Sequence, residues 1–453
     1  MKKIYIFTGG TINKVSPHLA ITAPAYGTVG VDIYRNLNDQ SDYEVILMPT
    51  AMAFSAFMYF GDSGLQMKYK EVCDAAGVKW IETNGDLKKV VDYLVEQDDT
   101  RCIIMAAAVA DFKVSAVEEF DNSWERRSLG SLPVIDNKVD LRLSSSHEYK
   151  VTLTPADKII DSIRKERKDI FLVSFKATYG ESFDETYKRG LAQLKRTSSN
   201  LVFANDIKKR ASMIITPEEY PYIDNSREES VAKLSSMIFD RLNLNFHRTT
   251  VREGSTANLN KLWENDCIPE NFVRVLSACL HLKAYKEFRG KTAGHFGCKV
   301  TGKKYARVSS VRKVDHNNVF TDGVAKIFPQ EDGSIVAEGA KPSVGEHTQS
   351  MIYERLGDKV DSIIHFHCPL KKGSPMHAYT RSQEAFECGS DECGLNTTEG
   401  MFEVAEGVWV VHLEGHGPNI AFSKDVDSKY VIKIIKDNWD LDKKIAEEAL
   451  ENK

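Results

Sequence analysis

Residues 361–369 read DSIIHFHCP, an apolar strand pattern with two histidines two positions apart. Side chains at positions i and i+2 of a strand face the same side, so His365 and His367 are predicted to project together. Two imidazoles on a rigid strand can hold a divalent metal from two directions. A satisfied, half-buried histidine pair is the alternative interpretation, and an isolated His-x-His pattern fits both equally well.

A second histidine pair lies in residues 408–422, VWVVHLEGHGPNIAF. His416 stands between two glycines, so the chain can turn sharply there and bring the ring to a neighbouring strand. Three histidines and one open position are typical of a catalytic zinc site, with His365, His367 and His416 as ligands. His412 is predicted to be structural.

The stretch upstream, residues 341–347, reads KPSVGEH and precedes a helical pattern. Ser343 and Glu346 have the spacing of a capping box, in which each side chain satisfies a backbone N–H of the first helical turn. In the alternative, Ser343 and free N–H groups at the helix start bind an anion such as phosphate, and Glu346 is a general acid or base.

The series KPSVGE, HFH and GHG resembles the class II aldolase/adducin family over about residues 250–440. The resemblance implies an α/β/α domain, residues 250–453, with a central and mostly antiparallel sheet. It implies that a divalent transition metal, with Zn2+ the first choice, is bound by His365, His367 and His416. Glu346 would move the proton, while the metal acts as a Lewis acid on a ketose-like substrate during C–C cleavage.

The family's phosphate-binding turn, Gly-Asn-x-Ser, is replaced here by GHFG, residues 294–297, so a phosphate site would need His295 and Lys341 to compensate. The residues concerned are Ser343, Lys341, Gly294 and His295. The substrate could be phosphorylated or linked to a nucleotide. Epimerase, dehydratase and decarboxylase chemistry are alternatives within the family, as is an adducin-like protein with no activity.

The first half of the chain alternates short apolar runs with helical patterns, which predicts a doubly wound parallel sheet. One run, residues 3–7, stops at Gly9-Gly10-Thr11, where a glycine turn frees N–H groups for phosphate. Another run, residues 102–109, ends just before Asp111, at the edge where such sheets bind ligands. The polar residues 115–147 are predicted as a long loop of the kind that forms lids.

The segments GGT, AAAVADF, LTPADKII, LVSFKA and LVFANDI follow one another in this half. Their series resembles the phosphopantothenate–cysteine ligase family, the synthetase part of the coenzyme A biosynthesis flavoproteins. The resemblance implies a Rossmann-like domain, residues 1–245, that activates a carboxylate with CTP or ATP, with Mg2+. The residues implied in nucleotide binding are Gly9, Gly10, Thr11, Asp111, Arg142, Phe175 and Asn205.

Two positions keep other interpretations of this domain open. Arg142 replaces a lysine of the family pattern, and Ala23 replaces an asparagine. A related ligase acting on another acid, and a domain that binds nucleotide without ligation, are therefore alternatives. FMN is not implied, because no flavin-dependent decarboxylase half precedes this domain.

Composition excludes several classes of protein. The chain of 453 residues carries a formal net charge of −5 and shows no basic cluster interleaved with aromatics, so no nucleic-acid partner is expected. Its longest apolar run, residues 102–110, is far shorter than the about 20 residues of a membrane-spanning helix. Eight cysteines without an export signal predict reduced thiols in the cytoplasm.

Together these observations predict an α/β protein that is a bifunctional metabolic enzyme. It would join a metal-dependent aldolase-type lyase to a nucleotide-dependent ligase-like domain, bind a small-molecule substrate and a nucleotide, and assemble as a homodimer or homotetramer. The alternative from another class is a nucleotide-binding scaffold protein whose C-terminal domain keeps only the adducin-like fold.

Overall fold

The computed structural model describes residues 1–38, 43–54, 63–123, 127–247, 249–285, 293–311 and 319–451. These residues form two compact units, one made of residues 1–215 and 224–242, the other of residues 216–223 and 243–453. The predicted first domain, residues 1–245, therefore differs from the first unit mainly by the segment 216–223, which packs within the second unit.

The first unit contains these strands and helices in chain order: β1 (Lys3–Thr8), β2 (Ile12–Ser16), β3 (Leu19–Thr22), α1 (Thr28–Asn38), β4 (Glu44–Pro49), α2 (Ser63–Ala75), α3 (Asn84–Glu96), β5 (Thr100–Met105), β6 (Phe112–Phe120), β7 (Ser128–Leu132), β8 (Val134–Ile135), β9 (Lys138–Val139), β10 (Glu148–Pro155), α4 (Ile160–Glu166), β11 (Phe171–Thr178), α5 (Phe183–Thr197), β12 (Leu201–Asp206), β13 (Ala211–Ile215) and α6 (Arg227–Leu242).

The main sheet of this unit has the strand order β4–β1–β5–β11–β12–β13. All neighbours pair in parallel except β13, which is antiparallel to β12. Numbered along the chain, the parallel strands lie in the order 2-1-3-4-5, so the connection direction switches between β1 and β5. The predicted doubly wound parallel sheet is confirmed, and its switch point is the edge where such sheets bind ligands.

Helix α3 shows how the sequence sets a local structure. Its apolar stripe is fully buried and consists of Leu87, Val90, Val91 and Leu94. Asp86, at the third helical position, is the reciprocal partner in a capping box. Thr83 is the N-cap, and its hydroxyl accepts a hydrogen bond from the Asp86 N–H at 3.1 Å while the Asp86 carboxylate accepts one from the Thr83 N–H at 2.8 Å.

The predicted loop at residues 115–147 is wrong over its described part, which omits residues 124–126. Strand β6 pairs antiparallel with both β10 and β7, and β8 forms a hairpin with β9. A few apolar side chains, among them Val114, Val117 and Val139, form a separate small core. A small antiparallel sheet needs only one apolar face, so most of its residues can be polar.

The second unit contains these elements: β14 (Pro221–Tyr222), β15 (Thr249–Arg252), α7 (Leu259–Glu264), α8 (Glu270–His281), β16 (His295–Lys299), β17 (Arg307–Ser309), α9 (Val319–Asp322), β18 (Ala325–Pro329), β19 (Ile335–Glu338), α10 (Glu346–Leu356), β20 (Ser362–His365), β21 (Thr380–Arg381), α11 (Asp391–Gly400), β22 (Phe402–Ala405), β23 (Val408–Leu413), β24 (Gly417–Phe422), α12 (Ser428–Asn438) and α13 (Ile445–Glu451).

The sheet of this unit has the order β15–β19–β18–β17–β16–β20–β24–β23–β21. Its pairs are antiparallel except β15 with β19 and β21 with β23, so the predicted mostly antiparallel sheet is confirmed. Ile364 packs in the core that includes residues of α8 and α12, whereas its neighbour Ile363 packs with Ile352 and Tyr353 of α10. Helices therefore cover both faces of this sheet.

Across the described ranges, the structure contains no helix with the length and hydropathy needed to cross a membrane.

Candidate metal centre and nucleotide site

Three histidines meet at one end of the second sheet. His365 ends β20, His367 lies two residues beyond that end, and His416 precedes β24. The strand is thus shorter than predicted, but the His365 and His367 ring centroids are still 5.0 Å apart. The His416 ring lies 4.7 Å from His365 and 4.8 Å from His367, and one ring nitrogen of each lies within 4.8 Å of the others. The structure therefore brings the three predicted metal ligands together.

Two glycines allow this close approach. Gly417 has a φ of 114°, and a Cβ there would collide with the Phe366 carbonyl oxygen. Gly294 has a φ of 109°, and a Cβ there would collide with the His365 carbonyl oxygen. Only glycine combines this backbone conformation with such proximity, and so the two turns bring the histidines onto one spot.

The hydrogen bonding of His365 leaves one ring nitrogen for a ligand. Its Nδ1–H donates to the Pro418 carbonyl at 2.8 Å, while Nε2 is buried and has no hydrogen-bond partner among the described residues. Burial, followed by the neighbouring histidines, lowers the pKa of His365 well below its ordinary value. Burial and nearby basic side chains lower the pKa of His367 in the same way. Both rings are therefore neutral at pH 7, the form that binds metals.

His295, predicted as part of a phosphate-binding turn, lies beside this cluster. It is directly opposite His365 in the antiparallel pair of β16 and β20, and the two ring centroids are 4.5 Å apart. Its Nδ1 accepts a hydrogen bond from the Gln349 side chain at 2.7 Å. The other edge of the ring packs on Gly345, where a Cβ would collide with it. This contact places the start of α10 next to the histidines.

Glu346, the predicted acid or base, is the first residue of α10 and is 1% exposed. Its Oε1 accepts a hydrogen bond from Arg307 Nε at 2.9 Å and one from the Ser350 hydroxyl at 3.4 Å. Its Oε2 is buried without a hydrogen-bond partner in the described chain. The capping box with Ser343 does not form, because Gly345 is the N-cap and no side chain caps this helix. Arg307 thus holds one carboxylate oxygen and leaves the other available.

The remaining predicted anion-binding residues are less closely associated with the histidines. The Ser343 hydroxyl accepts a hydrogen bond from the Gly345 N–H at 3.4 Å, and the Ser343 N–H donates to the Ser310 carbonyl at 2.9 Å. Lys341 is exposed and makes no hydrogen bond or ion pair with another described residue. The structure therefore brings Ser343 to the start of α10, while no contact links Lys341 to the histidines.

The space beside His367 is small. A cavity of about 20 Å³, near the size needed for one water molecule, is lined by His367 together with Tyr220, Gly415 and Lys444. Tyr220 belongs to the segment 216–223 of the second unit and packs against Gly415. Lys444 is 2% exposed and donates to the Ala284 carbonyl at 2.6 Å. Sequence reasoning missed both Tyr220 and Lys444.

His412 does not join the cluster of three. Its Nδ1 accepts a hydrogen bond from the Trp439 indole N–H at 3.3 Å. Burial first, and then the nearby His377 and His416, lowers the pKa of His412 to about 3. A neutral ring bonded to a buried tryptophan agrees with the structural role predicted for it.

In the first unit, the glycine turn lies at the switch point between β1 and β5. Gly9 has a φ of 94°, and a Cβ there would collide with the Thr50 hydroxyl. A Cβ at Gly10 would collide with the Ala23 carbonyl oxygen. Glycine is thus required at both positions by the protein's own packing, whether or not a phosphate approaches them.

Thr11 holds this turn in place through its side chain. It is fully buried, its hydroxyl donates to Asn84 Oδ1 at 2.5 Å, and it accepts from the Ala110 N–H at 2.9 Å. Its backbone N–H donates to the Ala108 carbonyl at 3.0 Å. The Thr11 hydroxyl and backbone N–H thus both have hydrogen-bond partners within the protein. Thr11 therefore links the turn after β1 to the residues that follow β5 and to α3, and its side chain does not face a ligand.

The other predicted nucleotide residues are distributed along the carboxyl edge of the sheet. Asp111 is exposed after β5 and forms an ion pair with Lys158. Phe175 is half-buried within β11, and Asn205 is half-buried one residue before the end of the adjacent strand β12. Arg142 is exposed between β9 and β10, and no hydrogen bond or ion pair ties it to these groups within the described residues.

A cleft of about 560 Å³ opens at the same edge. It includes Asn84, which bonds to Thr11 and to the Ala110 carbonyl, and Ala156, whose N–H donates to the Asp111 carbonyl. Charged residues of both signs line it: Lys14, Lys79, Lys88, Lys113 and Lys138 together with Glu82, Asp86, Asp136 and Asp157. Lys14 forms an ion pair with Glu82 and Lys113 forms one with Asp157, so the cleft has a lining of mixed charge.

Asp206 fixes the loop after β11 and was not found from the sequence. Burial of the carboxyl group tends to raise its pKa. Hydrogen bonds to the carboxylate have the larger, opposite effect and lower the pKa of Asp206 to about 2; the donors are the backbone N–H groups of Lys209, Glu181 and Gly180 and the Thr178 hydroxyl. The N–H bonds from Lys209 and Glu181 measure 2.8 and 2.9 Å. The carboxylate therefore stays charged at pH 7 and clamps the edge that carries Phe175 and Asn205.

Comparison with known proteins shows sequence similarity to one group of enzymes over about half the chain. The match to the coenzyme A biosynthesis bifunctional protein CoaBC of Thermococcus kodakarensis is 25% identical over 207 residues, 46% of this chain and 42% of that protein. The CoaBC protein of Methanocaldococcus jannaschii is 24% identical over 234 residues, 50% of this chain and 48% of that protein. The matched region thus spans less than half the length of these relatives. No family model matches the chain.

Two kinds of solved structure each align with about half of the chain or less. A DNA/pantothenate metabolism flavoprotein from Streptococcus pneumoniae aligns with 51% of this chain and 94% of its own, at 19% identity and a TM-score of 0.38. The L-fuculose-1-phosphate aldolase of Thermus thermophilus aligns with 39% of this chain and 90% of its own, at 14% identity and a TM-score of 0.26.

Proposed function

We propose that this chain is a bifunctional metabolic enzyme whose second unit is a metal-dependent lyase acting through an enediolate. The observation that carries the proposal is the buried, unpartnered Nε2 of His365 within a cluster of three histidines. Neutral imidazoles with an open position suit zinc best, with Mn2+, Fe2+ or Co2+ as alternatives. When bound, the metal would supply Lewis acidity to the oxygens of a ketose-like substrate.

Glu346 is the proposed proton-transferring group. Arg307 holds its Oε1, so the unbonded Oε2 is the atom that takes or returns a proton at the carbon next to the substrate carbonyl. Arg307 is in this scheme a positioning residue. A phosphate of the substrate would be bound by Ser343, Gly294 and His295, with the exposed Lys341 reaching in from the surface.

The test of the metal centre is elemental analysis of the full chain beside a His365→Ala/His367→Ala variant. The expected result is that the variant contains one equivalent of transition metal less than the wild type. The matched control is His281→Ala/His377→Ala, which removes two exposed histidines outside the cluster and should leave the metal content unchanged. Equal metal content in all three proteins would refute the metal centre and favour an adducin-like binding role.

The chemistry of the metal centre requires its own test. Phosphorylated and nucleotide-linked ketoses would be incubated with the metal-loaded chain, and products would be separated by mass. Two fragments identify a lyase, an isomer an epimerase, and loss of water or carbon dioxide a dehydratase or decarboxylase. Glu346→Gln should slow whichever reaction is seen by about 100-fold or more, since general acid–base catalysis contributes that much.

For the first unit, the proposal is a CTP or ATP site, with Mg2+, at the switch point between β1 and β5. Its support is the sequence similarity to the CoaBC proteins and the position of Gly9, Gly10 and Asp111 at that edge. Calorimetric titration of both nucleotides tests it, and Asp111→Asn should weaken binding about tenfold whereas Asp92→Asn on α3 should not. No heat of binding with either nucleotide would contradict the proposal.

Turnover separates a ligase from a nucleotide-binding scaffold. Release of pyrophosphate or nucleoside monophosphate in the presence of a carboxylic acid and an amine would indicate a ligase. Tight nucleotide binding without release would favour the scaffold. We further propose that the chain is cytoplasmic and forms a homodimer or homotetramer. Light scattering of the purified chain would distinguish these two oligomeric states.

A further inference from the structure

A second group of potential metal ligands lies in the same unit, away from the three histidines discussed above. It consists of His247, which precedes β15, His347, the second residue of α10, and Asp391, the first residue of α11. One donor atom of each residue lies within 4.8 Å of the others. None of these residues takes part in the proposed lyase centre, so the group requires its own explanation.

The backbone holds the three side chains in place. The Asp391 N–H donates to the Asn245 carbonyl at 2.9 Å, and the Asn245 N–H donates to the Glu392 carboxylate at 3.0 Å. The segment that carries His247 is thus fastened to the first turn of α11. His347 is fixed from the opposite side by its place in the first turn of α10.

The distances fit a shared cation. His347 Nε2 is 2.8 Å from Asp391 Oδ1, and His247 Nε2 is 3.2 Å from Asp391 Oδ2. The two imidazole centroids are 4.7 Å apart. Ligand atoms about 2.1 Å from a tetrahedral metal are roughly 3.4 Å from one another, so small rotations of the side chains suffice to surround an ion.

The hydrogen bonding of the cluster is incomplete without an ion. Both ring nitrogens of His347 and the Oδ1 of Asp391 are buried and form no hydrogen bond to any described residue. The 2.8 Å contact between His347 and Asp391 therefore brings two buried polar atoms together without the geometry of a hydrogen bond. Buried polar atoms without partners are costly and rare, and a cation would satisfy them together.

We propose that His247, His347 and Asp391 form a second divalent-metal site, suited to zinc or a similar transition metal. Two imidazole nitrogens and one carboxylate leave a fourth position open to water, on the side where the His247 side chain is 39% exposed. The ion would join the starts of α10 and α11 and thereby hold Glu346, the neighbour of His347. The site does not depend on the lyase activity of the first centre.

The test is a Co2+ titration of the full chain, followed by visible absorption. In a His365→Ala/His367→Ala background, one Co2+ should still bind, and adding His247→Ala should weaken that binding about 100-fold or more. Asp391→Asn, which keeps the side-chain size, should have a similar effect. His281→Ala is the matched control for removing an exposed histidine, and circular dichroism checks that each variant is folded.

The outcomes of this titration separate the two metal sites. If the background variant binds no Co2+, or if His247→Ala and His281→Ala bind it equally well, the second site is refuted and the cluster is only an ion pair. If His247→Ala loses one ion while His365→Ala/His367→Ala loses none, the second site stands and the proposed lyase centre fails. A second readout is the rise in melting temperature on adding Zn2+, which should be reduced by His247→Ala.

Discussion

At the scale of single residues, the ion pair of Glu346 and Arg307 governs the chemistry proposed for the second unit. Their side chains are 2% and 8% exposed, so neither charge is hydrated. Removing one partner of such a pair leaves a buried charge without a counter-charge. The loss of folding stability is far larger than for breaking an ion pair on the surface. The pair therefore links the stability of the unit to the position of the proposed base.

We predict that Arg307→Ala lowers the free energy of unfolding by about 3–5 kcal/mol. Denaturant titration measures this. The control is Arg274→Ala, since Arg274 pairs with Glu270 on an exposed helix face and its loss should cost less than about 1 kcal/mol. A similar small effect for both variants would show that Glu346 is not held by Arg307.

Gly345 is a second position where a single side-chain atom would affect stability, because a Cβ there would collide with the His295 ring. Gly345→Ala should destabilise the protein by about 1–3 kcal/mol, the usual cost of overpacking, and should reduce metal uptake by the three histidines. Gly85→Ala is the control, since its Cβ would make only an ordinary contact and should be neutral or slightly stabilising. Unchanged melting and metal content in Gly345→Ala would contradict the contact.

At the scale of elements, the first unit is stabilised by hydrogen bonds that connect the ends of strands to the starts of helices. Thr11 is the clearest of these, because its hydroxyl joins Asn84 at the start of α3 to Ala110 beyond the end of β5. The carboxyl edge of the sheet is thus fixed by a buried hydroxyl as well as by the backbone pairing. A nucleotide at this edge would meet a preformed surface.

Thr11→Val, which keeps the shape and removes the hydroxyl, should therefore cost about 1–3 kcal/mol. Both Asn84 Oδ1 and the Ala110 N–H lose a partner in this variant. Thr152→Val on the exposed strand β10 serves as the control and should change stability by less than about 0.5 kcal/mol. If the two variants unfold at the same denaturant concentration, the hydrogen bonds of the Thr11 hydroxyl contribute nothing to stability.

At the scale of the whole molecule, buried neutral histidines make stability depend on pH. The pKa values of His365, His367 and His412 are all lowered by burial, so the unfolded chain binds more protons than the folded one. Their contribution is complete above the unfolded pKa of about 6.5 and is lost as the pH falls below that value toward their folded pKa values.

The metal-free protein should accordingly lose stability progressively between about pH 6.5 and pH 5, with little change from pH 7 to 8. Urea titrations in the presence of a chelator measure this. His365→Gln/His367→Gln should show a shallower dependence over the same range, because two of the titrating groups are gone. Equal slopes in the two proteins would mean that these histidines are not buried as neutral rings.

The regular structure and the local pairs of this protein were predictable, because their physical causes act over short distances along the chain. Apolar runs between helical patterns gave the parallel sheet, and the HFH and GHG patterns identified the three histidines that meet. Helical spacing also places Gln349 and Ser350 on the same face of α10 as Glu346, so the sequence itself indicates that these side chains lie beside the proposed base. Residues 115–147 were misjudged because polar residues hid a small antiparallel sheet.

Contacts between distant segments could be decided only by the tertiary structure. Arg307 reaches Glu346 at the start of helix α10 from strand β17. Tyr220 reaches the space beside His367 from a segment about 150 residues earlier, and Thr11 is fully buried just after a glycine turn. The sequence alone determined which chemical groups the chain carries and the local elements that present them. Which groups meet, and which polar atoms remain unpartnered, depends on long-range packing, because burial and proximity are properties of the assembled core.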